Sequence, residues 1–421
     1  MSHTSEDYDE GEISLEDMVQ HELLHCDLGQ ICLDTAYCAY HVVSPGKRPE
    51  AVYEILVKRE RDEAALEAAG LLNDVSVASA FAKKYAAVHP GLYLSLLENR
   101  NGADISDMVS LGREAIKMIP KNYTACSRAA LKTAEYIVEA EKNQGNCEDH
   151  KKSKNTYLLE KCYFVAYESD TSALNYIRAL LNGYGTEEKR EELRKVFMAV
   201  STQKSGSSYS RLDGGGWNSE REENRPDSTR IFLLRFLDGQ FADVLAKGLN
   251  KSEALGWSGT FMKQGIALYL LYLYEGPWTL SGIQEMASIV KSAMGFSAKE
   301  YQRGLREQND TGEEELFYDL FLKWKALVPM EPDVQTRALK KIKGLLEKRV
   351  KGIMEASRRN YYGECAAYLA ALGEVQESLG EAGAKQKLMT AYKDQYPRRN
   401  AFREELRRYG WIDGGKRRRR Q

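Results

Sequence analysis

Proline is scarce in this chain, nine among 421 residues, and apolar–polar alternation bounded by turn formers is nearly absent. Both absences argue against a sheet and leave helix as the dominant element. Cysteine is sparse too, seven in all, an odd number without the close spacing of a disulfide framework. That usage suits reduced thiols, and the expected compartment is the cytoplasm. No apolar run has the length that spans a bilayer as a helix. The greasiest, GIALYLLYLY at 265–274, reads as a buried helix, so no membrane partner is expected. A cationic segment leading into an apolar run is missing from the N-terminus, so no secretory signal is expected either.

Charge is lopsided at both ends. No Lys or Arg precedes Lys47, whereas Glu6, Asp7, Asp9, Glu10, Glu12, Glu16, Asp17, Glu22, Asp27 and Asp34 do. From Tyr396 onward the balance reverses, ending in KRRRR at 416–420. An acidic head and a basic tail suit pairing with each other, and the tail also suits a polyanion.

Several catalytic signatures are absent. No Ser sits in a Gly-x-Ser-x-Gly elbow. DGGGW at 213–217 lacks a preceding strand and a following Gly-Lys-Ser/Thr, so it reads as linker. Cys365 has no His in the adjoining sequence to activate it and reads as a small residue at a tight helix contact. No acid–base pair is assembled, and no catalytic residue or cofactor is assigned.

What is present is helix. Apolar spacing predicts helices at 14–43, 48–69, 73–98, 104–118, 121–142, 154–168, 170–182 and 186–200. A second series follows at 230–249, 257–275, 279–294, 298–308, 312–327, 333–359, 361–379, 383–395 and 398–409. Between them lies a stretch rich in Ser, Gly and charge. The expected organisation is an N-terminal helical domain at 1–200, a linker or loop at 201–229, a C-terminal helical domain at 230–411 and a basic tail at 412–421. Short connections make successive helices antiparallel neighbours. The expected fold is therefore all-α, built of degenerate helical hairpins resembling an α-solenoid, in two lobes joined by a Gly/Ser-rich loop.

HELLH at 21–25 invites a metal reading. His21 and His25 lie one helical turn apart with Glu22 beside them, the spacing by which a zinc peptidase holds its ion and activates water. The longer form of that motif wants Gly where Leu28 stands, and Gly29 comes one residue late. At about 100° per residue, Glu16, Asp27 and Asp34 share one face, opposite Met18, His21, His25, Leu28, Cys32 and Ala36. The histidines thus fall within an apolar stripe, where neutral imidazoles pack and hydrogen-bond. Core residues are the favoured reading, and zinc at His21 and His25 is the alternative. Cys38 and His41, also one turn apart, read as core and helix-end residues.

A cationic stripe lies at 333–359. Val334, Ala338, Leu339, Ile342, Leu345, Leu346, Val350 and Ile353 form one face of that helix. Arg337, Lys340, Lys341, Lys348, Lys351, Arg358 and Arg359 occupy the other, diluted by Glu347 and Glu355. Such a stripe can track a phosphate backbone, with Arg417, Arg418, Arg419 and Arg420 as a polycationic extension. A solvated helix face with a solubilising tail is the other reading of the same residues.

Three stretches carry a family resemblance. RIFLLRFLDGQFADVLAKG (230–248), LGWSGTFMKQGIALYLLYL (255–273) and the sequence from RVKGIMEASRRNYYGEC to FREELRRYGW (349–411) resemble the helical region of bacterial SWIM zinc-finger proteins. SALNYIRALL (172–181) is similar to a helix of their middle region. The family's zinc module, Cys-x-Cys followed by Cys-x-His, does not occur here, so the resemblance implies the helical portion alone. It implies DNA or protein binding, and no family zinc ligand maps onto a residue of this chain. The expected function is a non-enzymatic helical scaffold for protein partners, alone or in a nucleic-acid-associated complex. Direct DNA or RNA binding through the basic helix and tail is the alternative, and a zinc peptidase the second.

Overall fold

The computed structural model describes residues 82–143 except 85, 88, 89 and 101, then 154–201, then 227–413 except 252. Among these residues the chain is all-α, with no strand. They divide into two compact units, one reaching to Ser169 and the other beginning at Asp170. This moves a boundary. The helices at 170–201 were expected in the N-terminal domain, but they pack with the C-terminal helices. Tyr176, for example, hydrogen-bonds Asp238, and Arg178 donates to the carbonyl of Tyr301. No described helix is long and apolar enough to cross a membrane.

The first unit contains α1 (Gly91–Glu98), α2 (Ile105–Met118), α3 (Thr124–Asn143) and α4 (Lys154–Ser169). Asp104 starts α2 by accepting the Ser106 N–H at 3.0 Å, a side-chain cap for an orphan donor. Small residues let α3 be enclosed by the other three: Ala125, Cys126, Ala129, Ala130 and Ala134 are all fully buried. Gly112 of α2 sits so close to Thr133 that a β-carbon would come within 2.1 Å of its hydroxyl. Polar atoms at the edge are paired, Tyr93 with Glu114 at 2.7 Å and Tyr136 with the Leu97 carbonyl at 2.6 Å.

The second unit runs from α5 (Ala173–Leu181) and α6 (Glu187–Ser201) to α7 (Ser228–Leu237) and α8 (Phe241–Asp243), which continues into a π-helical turn at Val244–Gly248. It continues through α9 (Met262–Leu273), α10 (Ser281–Ala293), α11 (Ala298–Gln302) and α12 (Glu313–Leu327). The last helices are α13 (Pro332–Glu355), α14 (Tyr362–Ser378), α15 (Ala384–Gln395) and α16 (Asn400–Arg408). Phe236, Phe241, Tyr269, Tyr272 and Trp324 form an aromatic core with ring centroids about 5 to 6 Å apart. Its polar tips find backbone partners: Trp324 Nε1 donates to Leu237 O at 2.8 Å, and the Tyr272 hydroxyl accepts the Met330 N–H at 2.6 Å.

Helix α14 is the hub: with Ala366, Ala367, Ala370, Ala371 and Gly373 set between Tyr368, Leu369 and Leu372, it is contacted by α9, α10, α13, α15 and α16. In a solenoid each hairpin meets its chain neighbours. Here chain neighbours pack, α9 on α10 and α14 on α15, and α10 also packs on α14 across three intervening helices, a contact that serial hairpins alone do not make.

Candidate polyanion-binding face and interior charge ties

Helix α13 is amphipathic over its whole length. Pro332 opens it at the first turn, where a missing N–H costs nothing. Its end is set by Ser357, which takes a left-handed φ of 53° and turns the chain toward a 3-10 turn at Arg359–Tyr361. Val334, Ala338, Ile342, Leu345, Leu346, Val350 and Ile353 are buried. Lys340, Lys343, Lys348, Arg358 and Arg359 are exposed and, among the described residues, engage no carboxylate. Arg337 is exposed but pairs with Asp333 at 2.8 Å, and Lys351 lies 3.9 Å from Glu355. Lys348 and Lys351 also border a groove of about 440 Å³ whose far wall is Leu388, Ala391, Tyr392 and Gln395 of α15.

Lys341 departs from the expected stripe. It is half-buried and donates to the carbonyl of Leu245 at 2.5 Å, in the π-helical turn. A π turn shifts the hydrogen-bond register and frees carbonyl oxygens. Burial lowers the Lys341 pKa below its usual value. Its ammonium is committed to the interior, not to the outward face. Lys343, which the sequence pattern did not single out, takes a place on that face.

Arg349 was missed altogether and is the most enclosed cation of the helix, 2% exposed. Nε and Nη2 donate to one oxygen of Glu364 at 3.1 and 2.7 Å, and Nη1 to Ala254 O at 2.7 Å. The Trp257 and Tyr361 rings flank the guanidinium at 4.8 and 5.0 Å, a double cation–π contact. Lys263 takes the other oxygen of Glu364. The signal was readable: Arg349 falls between Leu345, Leu346 and Ile353 on the apolar side.

A second tie lies farther along α14. Glu374, wholly buried, accepts the N–H groups of Gly282 and Ile283 at 3.2 and 2.8 Å and the Lys385 ammonium at 2.6 Å. A carboxylate there caps the orphan donors of α10 and complements its dipole. Asp238 is a third tie, receiving Arg194 Nε at 2.6 Å, Tyr176 at 3.1 Å and Gln240 at 2.8 Å. The hydrogen bond to Asp238, set against burial, raises the Arg194 pKa. These ionisable groups each join one helix to another.

The described thiols are shielded. Cys126, Cys162 and Cys365 are free and buried, and burial raises all three, Cys162 and Cys365 to about 12. No group of three or more His, Cys, Asp or Glu that could hold a metal occurs among the described residues. His21, Glu22, His25, Cys38, His41, Arg417, Arg418, Arg419, Arg420 and the 202–226 part of the expected linker lie outside the described residues. Compared with family models, curated proteins and solved structures, the chain finds no match.

Proposed function

We propose that this chain is a non-enzymatic helical scaffold that holds macromolecular partners, proteins in the first place. The observation supporting this is how the second unit uses its charge. Glu364, Glu374 and Asp238 are consumed inside as ties between helices, while the uncommitted cations of α13 and the turn after it are presented outside. A frame stiffened from within and charged on one face suits holding a partner. The resemblance to the helical region of SWIM zinc-finger proteins agrees with this reading.

Direct nucleic-acid binding is the second reading, favoured by Lys340, Lys343, Lys348, Arg358 and Arg359. Five cations neutralising phosphates on duplex DNA give a slope of log affinity against log salt of about −4.5. Lys340→Glu with Lys343→Glu and Lys348→Glu would weaken binding on all sequences alike.

Capture of partners from native lysate, with and without nuclease, separates the two readings. Protein partners retained after nuclease support the scaffold, and partners lost with nuclease support the nucleic-acid reading. A turnover abolished by one active-site substitution overturns both. The zinc-peptidase alternative is tested by metal analysis of wild type and His21→Ala, which must differ by about one zinc per chain for it to stand.

A further inference from the structure

Two Arg-Arg-Asn tripeptides, at 358–360 and 398–400, are far apart in the chain and meet at one corner of the second unit. Both are tied to the last turn of α13. The Arg358 N–H donates to Ile353 O at 3.1 Å, and Arg399 Nη2 donates to the next carbonyl, Met354 O, at 2.7 Å. A cation at a helix C-terminus complements its dipole, which accounts for Arg399. It does not account for Arg358, Arg359 and Arg398, which are exposed and engage no carboxylate among the described residues. The neighbouring acidic side chains face other cations: Glu355 faces Lys351, Glu404 faces Arg407 and Glu405 faces Arg408. Three guanidinium groups are thus left at this corner without a counter-charge.

The corner continues the cationic face of α13. At about 100° per residue, Lys340, Lys348 and Lys351 fall within about 80° of one another. With a rise of about 1.5 Å per residue, they and the arginines make a track more than roughly 20 Å long. Guanidinium forks grip phosphate oxygens in pairs and ammonium groups act as point charges, so the track suits a chain of phosphates.

The groove between α13 and α15 indicates which chain. Lys348 and Lys351 stand on its rim, and Leu388, Ala391 and Tyr392 form its floor. An apolar floor offers nothing to a bare polyanion, and Glu347, exposed on the same rim, repels one. An unpaired base answers both. Its ring covers Leu388 and Ala391, and its N–H groups meet the Glu347 carboxylate, with Gln395 as a further polar partner. In a duplex the ring faces are stacked and out of reach, whereas single strands can splay them out.

We infer that the α13 face and the arginine corner bind single-stranded nucleic acid. Its phosphates lie on Lys340, Lys348, Lys351, Arg358, Arg359 and Arg398, and one unstacked base enters the α13–α15 groove. This rests on the second reading above, direct nucleic-acid binding, and names the strand form and the added contact at Arg398.

Fluorescence anisotropy of the full chain, with a labelled single-stranded DNA oligonucleotide and with its duplex, tests it. The single strand is expected to bind at least roughly tenfold tighter than the duplex at the same salt. Arg358→Gln with Arg398→Gln should weaken the single strand by roughly tenfold or more. It should also flatten the slope of log affinity against log salt by about 1.4, two phosphate contacts at about 0.7 each. Ala391→Trp, at an exposed position, fills the groove and should weaken the single strand by roughly tenfold while leaving the duplex unchanged. Lys299→Gln with Lys323→Gln removes the same charge from exposed positions on α11 and α12 and should leave the slope unchanged. If neither form binds, the second reading and this inference fall together. Equal affinity for both forms, an unchanged slope in the double arginine variant, or an unchanged single-strand affinity in Ala391→Trp overturns this inference alone.

Discussion

Arg349 and Glu364 form a forked ion pair in the second unit: two guanidinium nitrogens reach the same carboxylate oxygen, at 3.1 and 2.7 Å. An arginine this enclosed is tolerated because its faces meet the Trp257 and Tyr361 rings and its remaining nitrogen meets the Ala254 carbonyl. Every desolvated surface of the guanidinium therefore has a partner. The pair also fixes α13 against α14, while Lys263 brings α9 to the same carboxylate.

Removing that carboxylate leaves two cations facing each other without a counter-charge. Glu364→Ala is expected to lose about 3 kcal/mol of stability, the cost of breaking one side of a buried pair. Combining it with Arg349→Met should recover part of the loss, because the stranded charge goes too. Urea unfolding of the two single variants and the double gives the coupling. A loss below about 1 kcal/mol for Glu364→Ala would place the pair with ordinary surface bridges.

Two glycines on helices make opposite forecasts. A β-carbon on Gly282 would stand 2.4 Å from the Ala371 nitrogen, so α10 and α14 touch backbone to backbone there. Gly282→Ala must push the helices apart and should cost about 2 kcal/mol or more. Gly344 on the outer face of α13 has open space around it. Gly344→Ala should stabilise by up to about 1 kcal/mol, since alanine loses less chain entropy in a helix. Melting of both variants checks this, and a stabilising Gly282→Ala would contradict the packing of α14.

How far the sequence foretold these features depended on whether local signals or tertiary partners set the ends of a helix. Helices α2, α4, α6, α12, α14 and α15 lie within a residue of their expected bounds, where apolar spacing and the flanking turn residues agree. The expected helix 230–249 is broken instead. Asp238 turns inward to Arg194, and Gly239 takes a φ of 87°, a break made by tertiary partners that spacing does not reveal. The helix at 298–308 stops at Gln302, just before Gly304 at a φ of 69°. Of the cationic stripe, Lys340 and Lys348 are where periodicity placed them. Lys341 was misread because a long side chain can curl from the boundary of a face into the interior.

Acid should loosen one surface tie in a defined direction. The Lys247 hydrogen bond, with that of Arg235, holds the Asp243 carboxyl below its ordinary value of 3.8. Its pKa is depressed in the folded chain, so the unfolded chain takes up the proton first. The stabilisation is present above 3.8 and is lost as pH falls through the lower, folded value. The group is partly exposed, so Asp243→Asn should cost less than about 1 kcal/mol near neutral pH. In urea titrations, the gap between wild type and Asp243→Asn should close on acidification below that point. A gap that stays constant would mean the carboxylate has no charged partner in solution.

Thiol chemistry probes the interior directly. Cys126, Cys162 and Cys365 are buried, and desolvation disfavours their thiolates, the only form that attacks an alkylating reagent. Iodoacetamide at about pH 8 meets a free cysteine that is partly ionised, but these three are both shielded and protonated. Mass spectrometry of the folded chain should find them unmodified, and the same treatment in urea should modify all three. Cys365 is the most telling, because it lies on the buried hub α14, next to Glu364. Reaction there in the folded state at the rate of an exposed thiol would mean that α14 is not enclosed, and the ties at Glu364 and Glu374 would have to be reassigned to solvent.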